Sequence, residues 1–354
     1  MERYTAMSSF REAVKSSVLF IAFPIFLIIF ITVDVIHDHV QHCQKGHLVL
    51  TAVDVGQGSS TLIRFPGGRT MLVDGGGFLD DTFDVGKTVL APYLWHERIA
   101  KIDTVVLTHP HPDHLQGLLF IMENFHVREV WINGDASQTE SYIAFCRIID
   151  HKNMFLRTLS GDSREENIQG VRLKILNPQM NHDITGTYFS RSIGIHGVDR
   201  QSDLKPIPGK MTRSHNSDAT NDRSMVIKIS YGEKRFLLTA DISSSVEDRL
   251  IHSEDNLESD VIFVPHHGSI HSSSVSFIQK VKPKIAIISC GVGNLFSNPH
   301  PEILSRYETV KANIYRTDRD GAISLVTDGH GITISAFSSG RSRTVSSFNH
   351  RFMD

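Results

Sequence analysis

Cysteine and net positive charge are both scarce in this sequence. The 354 residues include three cysteines, Cys43, Cys146 and Cys290, which are too few and too scattered for a disulfide framework or a thiolate zinc site. The formal net charge is −3, so no global positive field favours nucleic acid, and any such binding requires a local patch. With 40% hydrophobic and 21% charged residues, the composition is typical of a globular chain of one large or two ordinary domains.

A cleavage motif is missing after the longest apolar run, residues 18–33 (VLFIAFPIFLIIFITV). This run is close to the lower limit of about 17 residues for a membrane helix. A signal peptide and a buried core helix are the alternatives, but no small-x-small motif follows. We predict a transmembrane anchor over 17–36 and a linker over 37–46. Because basic residues precede the run and acidic ones follow it, segment 1–16 is expected in the cytoplasm and the remaining body outside the inner or plasma membrane.

Histidine, in contrast, is abundant, and one short stretch, THPHPDHLQG, concentrates four side chains that bind metals. Prolines follow the first two histidines and bias them toward extended backbone, in which alternate side chains share a face. Imidazole and carboxylate groups together suit zinc, iron or manganese better than calcium or magnesium. We predict a metal-binding loop, with its aspartate as the N-cap of the following helix. The metal-competent side chains are His109, His111, Asp113 and His114.

The rest of the chain alternates strands and helices and places other polar residues at strand ends. The motif follows a predicted strand at 102–107, Asp241 follows one at 235–239, and His266 and His267 follow one at 261–264. Both halves run as a strand meander followed by alternating helices and strands. This order predicts an α/β fold, an internally duplicated four-layer αββα sandwich. The predicted domain covers 47–338, with a polar irregular insertion at about 177–219 and a flexible tail at 339–354.

The motif HPHPDH matches the HxHxDH motif of the metallo-β-lactamase superfamily. The strings LTAVDVGQGSSTLIRFPGGRTMLVDGGG, NDRSMVIKI, FLLTADI, VPHHGSIHSSS and NPHPE narrow the match, because in this order they resemble the C-terminal hydrolase domain of ComEC-type DNA-uptake proteins. The resemblance covers the chain from residue 47 to about residue 334. The remaining residues of this sequence are too few for that family's multi-helix channel.

The resemblance implies two divalent metal ions, zinc or manganese. It assigns His109 and His111 to the first metal, and Asp113, His114 and one of His266 and His267 to the second. His267 is preferred, because a histidine directly before glycine is the commoner form of that motif. Asp241 would bridge the two, and the aspartates Asp113 and Asp241 would be the catalytic carboxylates. His266 would be a neighbour of the metal ligands or face the substrate.

The sequence departs from this family at two positions. Asn221 stands where a third histidine normally serves the first metal, so that metal should be bound more loosely or completed by water. Ser59 stands where the family's GQGD motif has an acid. Asp74, at the end of a predicted strand, is a candidate to orient a ligand histidine. Candidate substrate contacts are Arg316, Asp318 and Ser269, with a surface ion pair and helix capping as alternatives.

The function that the resemblance implies is a metal-dependent phosphodiesterase or nuclease that degrades DNA during uptake. Its nucleophile would be a metal-activated water, and DNA-uptake channel proteins would be its partners. Two alternatives remain open. One is hydrolysis of another substrate: a β-lactam, a lactone, a thioester or a choline phosphoester. The other is a non-catalytic module of a DNA-uptake assembly, which Asn221 favours.

Overall fold

A computed structural model describes residues 22–33, 46–78, 83–179 and 217–346. The chain divides into two units, Met1–Lys45 and Gly46–Asp354. In the first unit, residues 22–33 are helical. Within the four described ranges, no helix combines the length and the apolar character needed to cross a membrane. The ends of the predicted anchor, the segment 1–16, most of the linker and insertion residues 180–216 lie outside these ranges.

The second unit is built mainly from strands, numbered here along the chain. They are β1 (Leu48–Ala52), β2 (Thr61–Arg64), β3 (Thr70–Val73), β4 (Lys101–Leu107), β5 (His126–Ile132), β6 (Phe155–Thr158), β7 (Glu166–Ile168), β8 (Val171–Asn177), β9 (Val226–Tyr231), β10 (Lys234–Leu238), β11 (Val261–Phe263), β12 (Ile285–Ile288), β13 (Asn313–Arg316), β14 (Ile323–Thr327), β15 (Gly331–Ala336) and β16 (Ser342–Ser346).

These strands form two sheets. In the part of the chain that the structure describes, the first has nine strands in the order β16-β15-β14-β1-β2-β3-β4-β5-β6, and the second has seven in the order β13-β12-β11-β10-β9-β8-β7. Strands β3 to β6 run parallel in the first sheet, and β10 to β13 run parallel in the second. Each sheet therefore gathers the carboxyl ends of four successive strands at one edge.

Helices follow most of the parallel strands. They are α1 (Ala91–His96, continuing a π-helical turn at Gly86–Leu90), α2 (Pro112–Asn124), α3 (Glu140–His151), α4 (Ser217–Asn221), α5 (Ser244–His252), α6 (Val275–Val281), α7 (Pro301–Thr309) and α8 (Thr317–Asp320), with a 3-10 turn at Pro265–Gly268.

Three apolar clusters hold the layers together. Alternate residues of a strand reach opposite faces, so Val106 lies in the cluster between the sheets, whereas Val105 packs with α2 and α3. Leu118 and Met122, at helical spacing, are buried in that second cluster. A third cluster packs the second sheet against α5, α6 and α7. The predicted α/β sandwich with two sheets is therefore confirmed.

Three expectations about the strands and helices need correction. The predicted internal duplication does not divide the two sheets between the two halves of the chain, because β14 to β16 return to pair beside β1 in the first sheet. The tail predicted to be flexible contains β16, whose backbone pairs with β15 in an antiparallel ladder. The predicted irregular insertion is regular at both described ends, because Asn177 ends β8 and Ser217–Asn221 forms α4.

Candidate metal centre

The functional residues predicted from the sequence meet where the carboxyl ends of the two sheets come together. Asp74 follows β3, and the HPHPDH motif follows β4. Asp241 follows β10, and His266 and His267 lie in the 3-10 turn after β11. A hydrogen bond from the backbone nitrogen of Met225 to the carbonyl oxygen of Thr108, 3.0 Å long, links the start of β9 to the motif. The site is thus built jointly by both sheets.

Within the motif, the extended segment is shorter than predicted. His111, not Asp113, is the N-cap of α2, with φ −83° and ψ 150°, and Pro112 is the first helical residue. Proline suits this position because its fixed φ is helical and its missing N–H would be unpaired there anyway. Asp113 and His114 therefore reach the site from the first turn of a helix, and not from an extended chain.

Four side chains form a compact group that could hold a metal ion, which we call the quartet: Asp113, His114, Asp241 and His267. Each offers one ligand atom, and these atoms all lie within 4.8 Å of one another. His114 Nε2 is 3.2 Å from Asp241 Oδ1, and His267 Nε2 is 3.4 Å from both Asp113 Oδ2 and Asp241 Oδ2. Two imidazoles and two carboxylates are a donor set that suits zinc, iron or manganese.

Two atoms of the quartet support the fit to a metal ion. His114 Nε2 and His267 Nε2 are buried, and neither has a hydrogen-bond partner among the described residues. The neighbouring carboxylate oxygens are close but not in hydrogen-bond geometry. Their contacts with the carboxylates are electrostatic, at 3.2–3.4 Å. A bound cation could coordinate both nitrogens directly.

The far side of each quartet imidazole is held by a fixed acceptor. His114 Nδ1 donates to Asp74 Oδ2 at 2.7 Å, and His267 Nδ1 donates to the carbonyl oxygen of Ser289 at 2.9 Å. Such contacts set the ring orientation and leave Nε2 facing the site. Asp74 also accepts from the backbone nitrogen and the hydroxyl of Thr108, both at 2.8 Å. Asp74 thus contacts a ligand candidate, and its role in orienting a metal ligand stays a prediction.

Two glycines allow the approach of Asp74 to His114. A Cβ on Gly117 would lie 2.0 Å from the carbonyl oxygen of Gly75, and a Cβ on Gly75 would lie 2.5 Å from the backbone nitrogen of Leu118. Real side chains do not tolerate such distances from backbone atoms. Glycine at both positions therefore lets α2 pack directly on the turn after β3.

The carboxylates of the quartet keep its histidines charged in the metal-free form. Burial favours neutral imidazoles, but Asp241 and Asp74 outweigh it and raise the pKa of His114 well above its usual value. Against the same effect of burial, Asp241 and Asp113 raise the pKa of His267 to about 10. Burial also opposes ionisation of Asp113 and Asp241, yet the neighbouring histidines lower the pKa of both. Two cations and two anions make the metal-free quartet neutral, and exchanging two protons for one divalent ion preserves that neutrality.

Metal affinity at the quartet is therefore expected to rise with pH. A ligand imidazole must lose its proton, and each displaced proton strengthens apparent affinity about tenfold per pH unit below the histidine pKa. Because both pKa values are raised, the rise should extend across neutral pH into the alkaline range. Competition with a chromophoric chelator for Zn²⁺ at a series of pH values measures it, and calorimetry in two buffers counts the protons released. An affinity independent of pH would contradict the charged quartet.

Next to the quartet lies a second set of predicted ligands. His109 Nε2 and His111 Nδ1 are 3.1 Å apart. Burial, together with the neighbouring charge of His114, lowers the pKa of His109 well below its usual value, and burial also lowers the pKa of His111. Both rings are therefore neutral at pH 7. The Oδ1 atom of Asn221 is buried and, within the ranges that the structure covers, unpaired.

His266 lies at the edge of both groups. Its Nε2 is 3.5 Å from Asn221 Nδ2 and 4.0 Å from Asp241 Oδ2, farther than His267 is from the same carboxylate. His267, the residue preferred from the sequence, belongs to the quartet, and its role as the metal ligand stays a prediction. His266 remains half-buried beside it.

Four residues among and beside these ligand candidates have a left-handed backbone. Asp74, Ala240, His266 and His267 have φ values of 59°, 46°, 49° and 57°. For residues other than glycine, this left-handed conformation costs roughly 1–2 kcal/mol each. Such strain is characteristic of sites where geometry is held for function.

The expected substrate contacts are occupied by other interactions. Arg316 binds Asp318 through two hydrogen bonds, from Nε to Oδ1 at 2.9 Å and from Nη2 to Oδ2 at 2.6 Å. An arginine engaged in this way must leave its aspartate before it can contact a phosphate, so the ion-pair alternative describes the structure better. Ser269 is buried, and its backbone nitrogen donates to the carbonyl oxygen of His266 at 2.8 Å, which closes the turn that carries His267.

Sequence reasoning missed two contributors to the site. Thr108 anchors Asp74 through its backbone and hydroxyl, and its place directly before the first motif histidine was the available signal. Ser289 contributes a carbonyl oxygen to His267. Every residue type has a backbone carbonyl, so no sequence signal could have identified this acceptor.

The chain is similar in sequence to bacterial proteins that include competence proteins. ComE operon protein 3 of Bacillus subtilis is 27% identical over 293 residues, covering 79% of the chain and 33% of that protein. Recombination protein 2 of Haemophilus influenzae is 26% identical, covering 77% and 28%, and Competence protein ComA of Neisseria gonorrhoeae is 25% identical, covering 79% and 32%. The chain thus spans about a third of these relatives, and the predicted resemblance to ComEC-type competence proteins is confirmed.

The family model described as "Metallo-beta-lactamase superfamily" matches residues 53–292, a range that includes the HPHPDH motif, Asp241 and the turn of His267. This match covers more than half of the chain and coincides with the two-sheet sandwich and its cluster of histidines and aspartates. The chain therefore belongs to the metallo-β-lactamase superfamily.

Proposed function

We propose that this protein is a metal-dependent phosphodiesterase that hydrolyses DNA in connection with DNA uptake. The observation that carries the proposal is the quartet, in which two buried imidazole nitrogens face two carboxylates without hydrogen-bond partners among the residues described. Relatives named as competence and recombination proteins support DNA as the substrate.

The proposal includes two divalent ions, zinc or manganese. Asp113, His114, Asp241 and His267 would hold one, and His109, His111 and Asn221 the other, with Asp241 shared. The neutral rings of His109 and His111 support the second position, because they can bind a cation without releasing protons. An amide oxygen is a weaker donor than imidazole, so the position beside Asn221 would be the looser one.

When bound, such ions supply Lewis acidity and lower the pKa of water, so no serine or cysteine nucleophile is needed. The protein's own residues would orient the ions and carry negative charge next to them. Asp113 and Asp241 stay ionised at neutral pH because their pKa values are lowered. His111, Asp113 and His266 are the half-buried members of the site, so a phosphodiester would approach from their side.

One assay separates the candidate activities. The full chain is incubated with single- and double-stranded DNA, bis-p-nitrophenyl phosphate and nitrocefin, with Mn²⁺ or Zn²⁺ and with EDTA. We expect metal-dependent loss of DNA, abolished in His111→Ala and retained in the control His252→Ala, whose side chain is exposed on α5. Nitrocefin turnover without DNA cleavage would refute the nuclease. Bound metal without turnover of any substrate would favour the non-catalytic module.

Replacing Asn221 by histidine is expected to tighten the looser metal position by about tenfold, because imidazole nitrogen is a stronger zinc donor than an amide oxygen. Asn221→Ala should weaken it. Metal content after dialysis against a weak chelator measures both changes, and Asn124→His, at an exposed position at the end of α2, is the matched control. Equal metal content in Asn221→His, Asn221→Ala and wild type would remove Asn221 from the metal site.

We also propose that residues 17–36 anchor the protein in the inner or plasma membrane, with the N-terminus inside and the hydrolase domain exported next to DNA-uptake channel proteins. The apolar run of 18–33 and the basic residues before it support this orientation. An alkaline phosphatase fused to the C-terminus should be active in cells and should lose activity when 17–36 are deleted. Activity of a cytoplasmic reporter at the same position would reverse the orientation.

A further inference from the structure

A loop beside the quartet exposes three large apolar side chains. Residues 291–298 lie between β12 and α7, and Val292, Leu295 and Phe296 are 83%, 89% and 56% exposed. Grouped apolar side chains on a soluble surface commonly mark a binding site. This group has no role in the metal chemistry described above.

The loop is shaped by one internal side chain. The amide nitrogen of Asn294 donates to the carbonyl oxygens of Gly291, at 2.9 Å, and Asn298, at 2.6 Å, and its Oδ1 accepts from the backbone nitrogen of Asn298 at 3.0 Å. A pre-shaped loop loses less conformational entropy when it binds a ligand. The apolar side chains are therefore presented in a defined arrangement.

Both ends of the loop are attached to the turn that carries His267. Before the loop, the carbonyl oxygen of Ser289 accepts from His267 Nδ1 at 2.9 Å. After it, the backbone nitrogen of His300 donates to the carbonyl oxygen of Gly268 at 2.9 Å. The backbone on both sides of the exposed apolar group is thus fixed next to the turn of a quartet member.

Gln57, in the turn between β1 and β2, is the second unexplained feature. Its amide atoms Nε2 and Oε1 are both buried, and neither has a hydrogen-bond partner in the described part of the chain. An unpaired buried amide is costly to the free protein. The residue as a whole is half-buried, and because its amide makes no hydrogen bond to a described residue, turning it toward a ligand would break none.

The turn of Gln57 connects the quartet to the apolar loop. The backbone nitrogen of Ser59 donates to the carbonyl oxygen of Asp113 at 3.2 Å. A Cβ on Gly291 would lie 2.8 Å from the backbone nitrogen of Gln57, and a Cβ on Gly56 would lie 3.4 Å from the ring of Phe78. The turn therefore lies close to the ring of Phe78, to the first residue of the apolar loop and to a ligand candidate.

We propose that Gln57, Phe78 and Phe296 form a nucleobase subsite beside the metal centre, an inference that rests on the proposed hydrolysis of DNA. An amide offers a donor and an acceptor side by side, which the edge of a base such as adenine matches. A phosphate would pair with Nε2 alone and leave Oε1 unpaired. Apolar and aromatic surfaces bind the faces of bases by stacking, largely independently of sequence.

The test compares binding of fluorescent single-stranded oligo-dA with that of an abasic oligonucleotide of equal length, using the full chain in EDTA and fluorescence anisotropy. Wild type is expected to bind oligo-dA about tenfold more tightly than the abasic strand. Gln57→Met and Phe296→Ala should remove this difference. Because turnover is not measured, failure of the proposed hydrolysis leaves the readout intact.

A second measurement separates ligand binding from a structural role. Gln57→Met keeps the length of the side chain and removes an unpaired buried amide, so the Tm of the free protein should rise. A structural role for Gln57 would lower it. The matched controls are Gln279→Met and Phe155→Ala, both at exposed positions. The proposal is overturned if wild type binds both oligonucleotides equally. It is also overturned if Phe296→Ala binds oligo-dA as tightly as wild type does and loses only binding to phospholipid vesicles.

Discussion

Replacing Asp241 by alanine is expected to abolish metal binding at the quartet and to lower phosphodiester hydrolysis about a thousandfold, equivalent to about 4 kcal/mol. The reason is that one carboxylate serves several partners. Its Oδ1 lies 3.2 Å from His114 Nε2, and its Oδ2 lies 3.4 Å from His267 Nε2 and 4.0 Å from His266 Nε2. Metal content of the purified protein and turnover of bis-p-nitrophenyl phosphate measure the two effects.

The loss must be distinguished from misfolding. Circular dichroism and the urea midpoint of Asp241→Ala show whether the sandwich persists. Asp248→Ala is the matched control, because this carboxylate is 73% exposed on α5 and contacts only a neighbouring exposed histidine among the salt bridges described. Wild-type metal content in Asp241→Ala would place the metal elsewhere and overturn the quartet assignment.

Replacing Asp74 by alanine is expected to lower the free energy of unfolding of the metal-free protein by about 3–5 kcal/mol. This is the usual cost of removing one partner of a buried ion pair. Its carboxylate accepts from His114 Nδ1 at 2.7 Å and from the backbone nitrogen and hydroxyl of Thr108 at 2.8 Å. Alanine would remove the acceptor shared by three buried donors, one of them on a charged imidazole. Urea denaturation of the metal-free protein measures the change.

Asp74→Asn separates charge from packing at the same position. Asparagine has nearly the same size and can still accept from Thr108, but it cannot stabilise the imidazolium of His114 as a carboxylate does. We expect a smaller loss of stability and a weakening of metal affinity by roughly 10–100-fold, as for other residues that orient metal ligands. An unchanged urea midpoint in Asp74→Ala, together with unchanged metal affinity in Asp74→Asn, would show that the ring of His114 is held by its packing alone.

Much of the fold could be predicted because strands and helices leave periodic signals. The strand before the motif, the helix after it and α6 at Val275–Val281 follow from apolar spacing. The expectations failed where the elements are short or polar. β7 has three residues, and β16 (SRTVS) carries a polar sequence, so neither shows a hydrophobic alternation. Both lie at or near sheet edges, where backbone pairing and not burial defines the strand.

The site could be predicted in part for a different reason. His109, His111, Asp113 and His114 are adjacent in sequence, and Asp241 and His267 follow recognisable apolar strands. The N-cap of α2 was assigned to Asp113 from capping preference, whereas the helix begins earlier because Pro112 is already suited to its first turn.

The sequence by itself determined which side chains can bind a metal and that strand ends deliver them, because these properties belong to residue types and local periodicity. Only the tertiary structure decided that Asp74 meets His114 across 40 positions, that the carbonyl of Ser289 orients His267, and that the amide of Gln57 is buried without a partner among the described residues. Such contacts join segments far apart in the chain. Their geometry arises from the packing of two sheets, and no local pattern encodes it.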